Sequence, residues 1–86
     1  MALNAKQRWT LARLFERPMP AEMSWDDIES LLRALGATIQ QRAGSRISVT
    51  LNGLPTVFHV PHPQRVASHG RLRAVRKFLE DAGVRP

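Results

Sequence analysis

The 86 residues allow one domain at most, and their 43% hydrophobic content is that of an ordinary soluble chain with a small core, which leaves little room for a deep cofactor cavity. Thirteen Lys and Arg against seven Asp and Glu give a formal charge of +6, which directs attention to a polyanionic partner. The absence of Cys excludes a disulfide scaffold, a thiol nucleophile, a Cys-based zinc site and an iron–sulfur cluster.

No apolar run approaches the roughly 18 residues of a membrane span, and the first residues lack a signal-peptide stretch, so a cytoplasmic protein with no membrane contact is expected. The charge is unevenly placed. Residues 1–29 carry four basic side chains against five acidic ones, and residues 80–86 carry Arg85 against Glu80 and Asp81. Between Ser30 and Leu79 there is no Asp or Glu, while Arg33, Arg42, Arg46, Arg65, Arg71, Arg73, Arg76 and Lys77 give that stretch a net +8. His59, His62 and His69 lie in it too. A polyanion is expected to bind there, with salt-dependent affinity.

In chain order, Asn4 can cap a helix whose apolar set is Trp9, Leu11, Ala12, Leu14 and Phe15. Trp9, Phe15 and Trp25 read as core or staple residues rather than base-stacking platforms. Pro18 and Pro20 end this helix and open a short extended connector. Ser24-Trp25-Asp26-Asp27 resembles a capping box with Asp in the reciprocal position, and Asp26, Asp27 and Glu29 suit the positive end of the helix dipole. Ile28, Leu31, Leu32 and Leu35 form one buried stripe, and Gly36 is its left-handed stop.

Residues 37–42 predict a first strand, and Arg46–Leu51 a second with clean two-residue alternation. Asn52-Gly53 is a strong hairpin signal leading into a third strand over Thr56–Val60, which Pro61 and Pro63 stop. A two-residue loop pairs positions whose numbers sum to 105. It places Ile47, Val49, Leu51, Leu54, Thr56, Phe58 and Val60 on the core face, and Arg46 opposite His59 on the other, beside Ser48 and Thr50. Pro55 makes a longer or distorted turn the alternative. The last helix is predicted from Ser68 to Asp81, with Leu72, Val75, Leu79 and Ala82 buried, Phe78 beside them, and Arg73, Arg76 and Lys77 projecting outward. The order helix, helix, three strands, helix describes an α+β sandwich.

Four segments carry a family resemblance: Trp25-Asp-Asp-Ile-Glu-Ser-Leu-Leu-Arg-Ala-Leu-Gly36, Ala43-Gly-Ser-Arg46, Phe58-His-Val-Pro-His-Pro63, and Gly70-Arg-Leu-Arg-Ala-Val-Arg-Lys-Phe-Leu-Glu-Asp-Ala-Gly83. In order and spacing they resemble the HicA toxins of bacterial type II toxin–antitoxin pairs. The resemblance covers residues 24–86 and leaves 1–23 as an N-terminal helical extension with its Pro-containing connector. It implies a fold similar to a double-stranded-RNA-binding domain and cleavage of mRNA without a metal or other cofactor, which inhibits translation. It also implies neutralisation by a HicB-like antitoxin, with DNA contacted only indirectly through that partner.

The sequence departs from the family at one position. The family pattern is Gly-Ser-His with a catalytic His, and the matching residues here are Gly44-Ser45-Arg46. Arginine stays protonated and cannot act as a general base, but it can grip a phosphate bidentately. Two readings stand side by side. In one, proton transfer has moved to His59 or His62 while Arg46 binds phosphate, with Gly44, Ser45, Arg42, Arg71, Arg73, Arg76 and Lys77 as further phosphate or RNA contacts. In the other, His59 is a surface residue and His62 shapes a turn, so the chain is a catalytically impaired RNA-binding module that keeps the antitoxin surface. A third use of the basic stretch is docking an acidic antitoxin. His69, near a helix N-terminus, suits capping or phosphate contact. A zinc site from the three histidines lacks a fourth ligand, and Ser45 lacks the base and oxyanion hole of a nucleophile.

Overall fold

The computed structural model describes residues 2–60 and 64–86; Pro61, His62 and Pro63, and the reading of the two prolines as strand stops, lie outside the described residues. The elements are α1 (Ala5–Leu14), β1 (Glu22–Ser24), α2 (Trp25–Ala34), β2 (Thr38–Gln41), β3 (Arg46–Leu51), β4 (Leu54–His59), β5 (Val66–Ser68) and α3 (His69–Asp81). Strands β2, β3 and β4 form an antiparallel sheet in that order, and β1 pairs antiparallel with β5 as a separate ribbon. The architecture is α+β, as expected.

The hairpin follows the two-residue reading. Asn52 and Gly53 both have positive φ, 51° and 80°, the requirement of the turn type whose twist matches the flanking strands. The register puts Ile47 opposite Phe58, Val49 opposite Thr56 and Arg46 opposite His59. Strand β4 begins at Leu54 rather than Thr56, because Pro55 is accommodated on the edge strand, where a missing N–H breaks no ladder bond when it faces outward.

Alternation then divides the sheet. Ile47, Val49, Leu51 and Phe58 are buried, with Ile39, Leu54 and Val60 packed against them. The other face carries Thr38 and Gln40 from β2, Arg46, Ser48 and Thr50 from β3, and Val57 and His59 from β4. Helices α2 and α3 supply Ile28, Leu31, Leu32, Leu72, Val75, Phe78 and Leu79 to the same core. Trp25 is fully buried and meets Phe58 edge-to-face at 5.9 Å, and Phe58 meets Phe78 at 5.8 Å, so one aromatic chain crosses from α2 through the sheet to α3. Helix α2 ends in a Schellman motif, with Gly36 at φ 96°, its N–H donating to the Arg33 carbonyl and the Ala37 N–H to the Leu32 carbonyl.

Three expectations are corrected. The chain holds two strands beyond the three expected: in the extended connector after α1, Met23 sits opposite Ala67 in the β1–β5 ribbon, and both are buried. Ser24 occupies the N-cap position of α2 but its side chain makes no capping bond; the Trp25 N–H instead donates to the Arg65 carbonyl at 2.8 Å. Ser24 is the last residue of β1, so its backbone geometry is set by the ribbon. Finally, α1 buries Thr10, Leu11 and Leu14, whereas Ala12 is exposed and Trp9 is 48% exposed. Trp9 lies beside that buried stripe and is flanked by cations, with Lys6 Nζ 4.4 Å and the Arg13 guanidinium carbon 5.3 Å from its ring centroid. Asn4 does cap α1, in a reciprocal box with Gln7. Helix α1 docks on α2 through Gln7 to Ser30 at 3.0 Å and Lys6 to Asp27 at 3.4 Å.

Candidate functional site

The open end of the sheet, where β3 begins and β4 ends, brings together residues far apart in sequence. The Arg46 carbonyl accepts the Arg42 N–H at 2.9 Å, so the backbone of Arg46 points toward β2. In a middle strand, bonding then alternates sides, and the Ser45 carbonyl accordingly accepts the Val60 N–H from the β4 side at 2.7 Å. Arg46 and His59 are therefore a non-hydrogen-bonded cross-strand pair, the kind whose side chains stand closest. The His59 carbonyl faces away from β3 and accepts from Arg71 Nη1 at 2.7 Å, which ties the first turn of α3 to the end of β4.

Two further guanidinium groups, those of Arg42 and Arg71, bond next to this pair. Arg42 lies over the outer face, with Nε donating to Ser48 Oγ at 3.1 Å and Nη2 to Gln40 Oε1 at 3.2 Å. The Nε of Arg46 donates to the Ala43 carbonyl at 3.3 Å, and Arg71 holds the far edge. Among the described residues none of the three pairs with a carboxylate, whereas three other cations of the basic stretch do. Arg33 pairs with Glu29, Arg65 with Asp26 and Glu29, and Lys77 with Asp81. The acid-free stretch is thus partly neutralised from outside itself; of its five cations without an ion pair among the described residues, Arg42, Arg46 and Arg71 lie at the sheet end and Arg73 and Arg76 on α3. Such an arrangement can hold a phosphate through paired N–H donors and place it against an imidazole.

The remaining sequence-selected residues distribute as follows. Gly44 (φ 71°) and Ser45 form the β2–β3 connection directly before Arg46. Arg73 and Lys77 lie exposed on the outward side of α3, with Arg76 half-buried beside them around a shallow depression. No hydrogen bond or ion pair among the described residues joins those three to the Arg46–His59 pair. His62 lies outside the described residues. His69 Nδ1 is 3.3 Å from the Pro20 carbonyl, a contact between α3 and the connector before β1, away from the sheet end. No three His, Asp or Glu gather as metal ligands among the described residues.

Sequence reasoning missed a groove on the helix side of the same sheet end, lined by Glu29, Arg33, Gln41, Ser45, Val60 and Arg65, with a volume of about 540 Å³. Glu29 read from sequence only as a dipole-compensating acid, and nothing local marked Arg65 or Gln41 as its neighbours.

No helix among the described residues is long and apolar enough to cross a membrane. The search of curated proteins and the search of solved structures return no match. A family model described as the HicA toxin of bacterial toxin–antitoxin systems matches residues 25–84, well over half of the chain and spanning every element from α2 onward. The chain belongs to the HicA toxin family.

Proposed function

We propose that this toxin is an endoribonuclease that cleaves mRNA without a metal, inhibits translation in the cytoplasm, and is neutralised by a HicB-like antitoxin. The observation that carries the reading is the Arg46–His59 pair at a sheet end where Arg42, Arg46 and Arg71 have no carboxylate partner among the described residues. In this chemistry the RNA 2′-oxygen loses its proton and attacks the adjacent phosphorus, the bond from phosphorus to the 5′-oxygen breaks, and the leaving oxygen takes a proton. Arg46, aided by Arg42 and Arg71, binds the phosphate and stabilises the extra negative charge on its oxygens in the transition state. His59 is the base that removes the 2′-proton, and His62 the acid that protonates the leaving oxygen; histidine titrates in the range both tasks need. Gly44 and Ser45 shape the approach to Arg46, and Arg73, Arg76 and Lys77 contact the RNA backbone further along. Residues 24–86 form the toxin domain. The extension over 1–23 is added to it through Leu11 and Leu14, which share its core.

The test is cleavage of a transcript by purified protein in the presence of a chelator. His59→Ala and His62→Ala are each expected to lower the rate by about 10²- to 10⁴-fold. Full activity in both variants overturns the assignment. Arg46 standing where the family has its catalytic His favours one competing reading, an RNA-binding module without catalysis. Tight RNA binding with no cleavage by the wild-type protein supports that alternative.

A further inference from the structure

The three-stranded sheet has two outer edges, and they are not equivalent. The Ser45 carbonyl takes the Val60 N–H, and bonding alternates from there, so Pro55, Val57 and His59 of β4 turn their backbone groups away from β3. Pro55 has no N–H to offer, and the His59 carbonyl is already taken by Arg71 Nη1 at 2.7 Å. That edge is blunted at both ends. In β2 the Arg42 N–H reaches the Arg46 carbonyl, so Thr38 and Gln40 bond toward β3 while Ile39 and Gln41 point their N–H and C=O groups outward. Among the described residues no strand pairs with that side of β2.

Exposed edges are ordinarily guarded by Pro, a bulge or a charged side chain. Thr38–Gln41 carries none of these: its four residues are uncharged, and its pairing with β3 runs one for one. Ile39 is half-buried and Gln41 exposed, so the inner face beside this edge is open as well. Donors and acceptors alternating at strand spacing match another polypeptide strand, not the phosphates or bases of RNA.

The surroundings define the chemistry of that strand. In an antiparallel pairing the residue opposite Ile39 shares the inner, apolar face, and the residue opposite Arg42 shares the outer face. Arg42 is held by the neutral acceptors Ser48 and Gln40, and neither it nor Arg46 has a carboxylate partner among the described residues. A second copy of this chain would bring another +6 against the first, whereas an acidic strand is attracted. We propose that the outer edge of β2 receives an antiparallel strand of the antitoxin, with an aliphatic residue opposite Ile39 and an Asp or Glu opposite Arg42. Ile39 and Gln41 each exchange both backbone bonds with it. The acidic side chain occupies Arg42 beside Arg46, so docking at the edge also withdraws a cation from the proposed phosphate site. This inference rests on neutralisation by an antitoxin, as proposed above.

The test is amide hydrogen exchange of the full-length toxin, alone and with its antitoxin in excess. Exchange at Ile39 and Gln41 is expected to slow roughly tenfold or more in the complex. Gln41→Pro removes one outward donor and leaves the ladder to β3 intact. It is expected to weaken antitoxin binding by roughly tenfold or more, because the partner's acceptor is left unpaired. A thermal melt checks that the variant folds. Arg42→Ala is expected to weaken binding and make it less sensitive to salt. Val57→Pro, the same change on the other edge, is expected to bind as the wild type does. Unchanged exchange at Ile39 and Gln41, wild-type affinity in a folded Gln41→Pro, loss of affinity in Val57→Pro alone, or an antitoxin that does not bind each overturn the proposal. So does equal protection of these amides in the toxin alone as its concentration rises, which would make a second copy the occupant. An antitoxin that blocks RNA cleavage while both amides exchange freely defeats the docking and leaves the ribonuclease reading. Protection of both amides in a toxin that cuts no RNA does the reverse.

Discussion

Removing Arg46 tests whether the sheet end holds phosphate. Each phosphate neutralised on a single strand contributes about −0.7 to the slope of log affinity against log salt. Three arginines at the sheet end, Arg42, Arg46 and Arg71, contribute about −2 to the slope, a share worth roughly twentyfold in affinity when salt rises from about 50 to 200 mM. In Arg46→Ala the total slope becomes shallower by about 0.7, and the sheet-end share of the same salt effect falls to about sevenfold. The fold should not notice. Arg46 is exposed, and among the described residues its one side-chain hydrogen bond goes to the Ala43 carbonyl at 3.3 Å. The assay is fluorescence anisotropy of a labelled single-stranded RNA across a salt series, with a urea unfolding curve alongside. An unchanged slope in Arg46→Ala refutes the reasoning. If Arg73→Ala and Arg76→Ala lower the slope instead, RNA runs along the outer side of α3 and the sheet end is not its site.

Two substitutions test the frame that positions the site. Trp25→Ala removes a fully buried indole and its edge contact with Phe58, and is expected to lower stability by about 3–5 kcal/mol in urea unfolding; a loss under about 1 kcal/mol would mean the aromatic chain carries little of the packing. Asn52→Ala loses a residue suited to φ 51° and the bond from Asn52 Nδ2 to the Ala82 carbonyl at 2.8 Å, and is expected to cost about 1–3 kcal/mol. The midpoint of a thermal melt reads this directly, and an unchanged midpoint would show that the turn is not under conformational demand.

What could be read from the sequence, and what could not, follows from the range of the interactions involved. The hairpin was legible because all its determinants lie within fourteen residues: alternation in β3, two adjacent positive-φ residues, and a register fixed by counting outward from them. That register alone set Arg46 opposite His59. The stripes of α2 and α3 were legible for the same reason, each being a helical repeat bounded by a glycine. The β1–β5 ribbon was not. Each strand is three residues long, too short for alternation to register, and its partner lies more than forty residues away. Trp9 has the apolar identity of a core residue but stands beside the stripe, while Thr10, buried and donating to the Lys6 carbonyl at 2.9 Å, takes the inward position. The groove depends wholly on tertiary placement. Glu29, Gln41 and Arg65 come from three separate elements, and only the docking of α2 against the sheet end makes them neighbours.

The same docking changes the meaning of the basic stretch. Counted along the chain, residues 30–79 are uniformly basic, and each cation is as good a candidate as the next. Folded, Asp26 and Glu29 at the start of α2 reach Arg33 and Arg65, and Asp81 reaches Lys77 one turn away. A paired guanidinium near a surface gives up much of its long-range attraction for a polyanion, so the field is sharpest where no carboxylate arrives. Among the described residues the end of β3 and β4, with Arg42, Arg46 and Arg71, is one such place, and the proposed function takes its position 46 as the family's histidine position. A histidine at position 46 and an arginine there are not equivalent, but position 59 is the closest cross-strand neighbour that position 46 has. On the proposed reading, the imidazole moved across one strand gap rather than out of the site, and the position it vacated took a phosphate ligand. The backbone supports both roles without rearrangement: the Arg46 carbonyl is held by β2, the His59 carbonyl is held by Arg71, and both side chains are left on the outer face of the sheet.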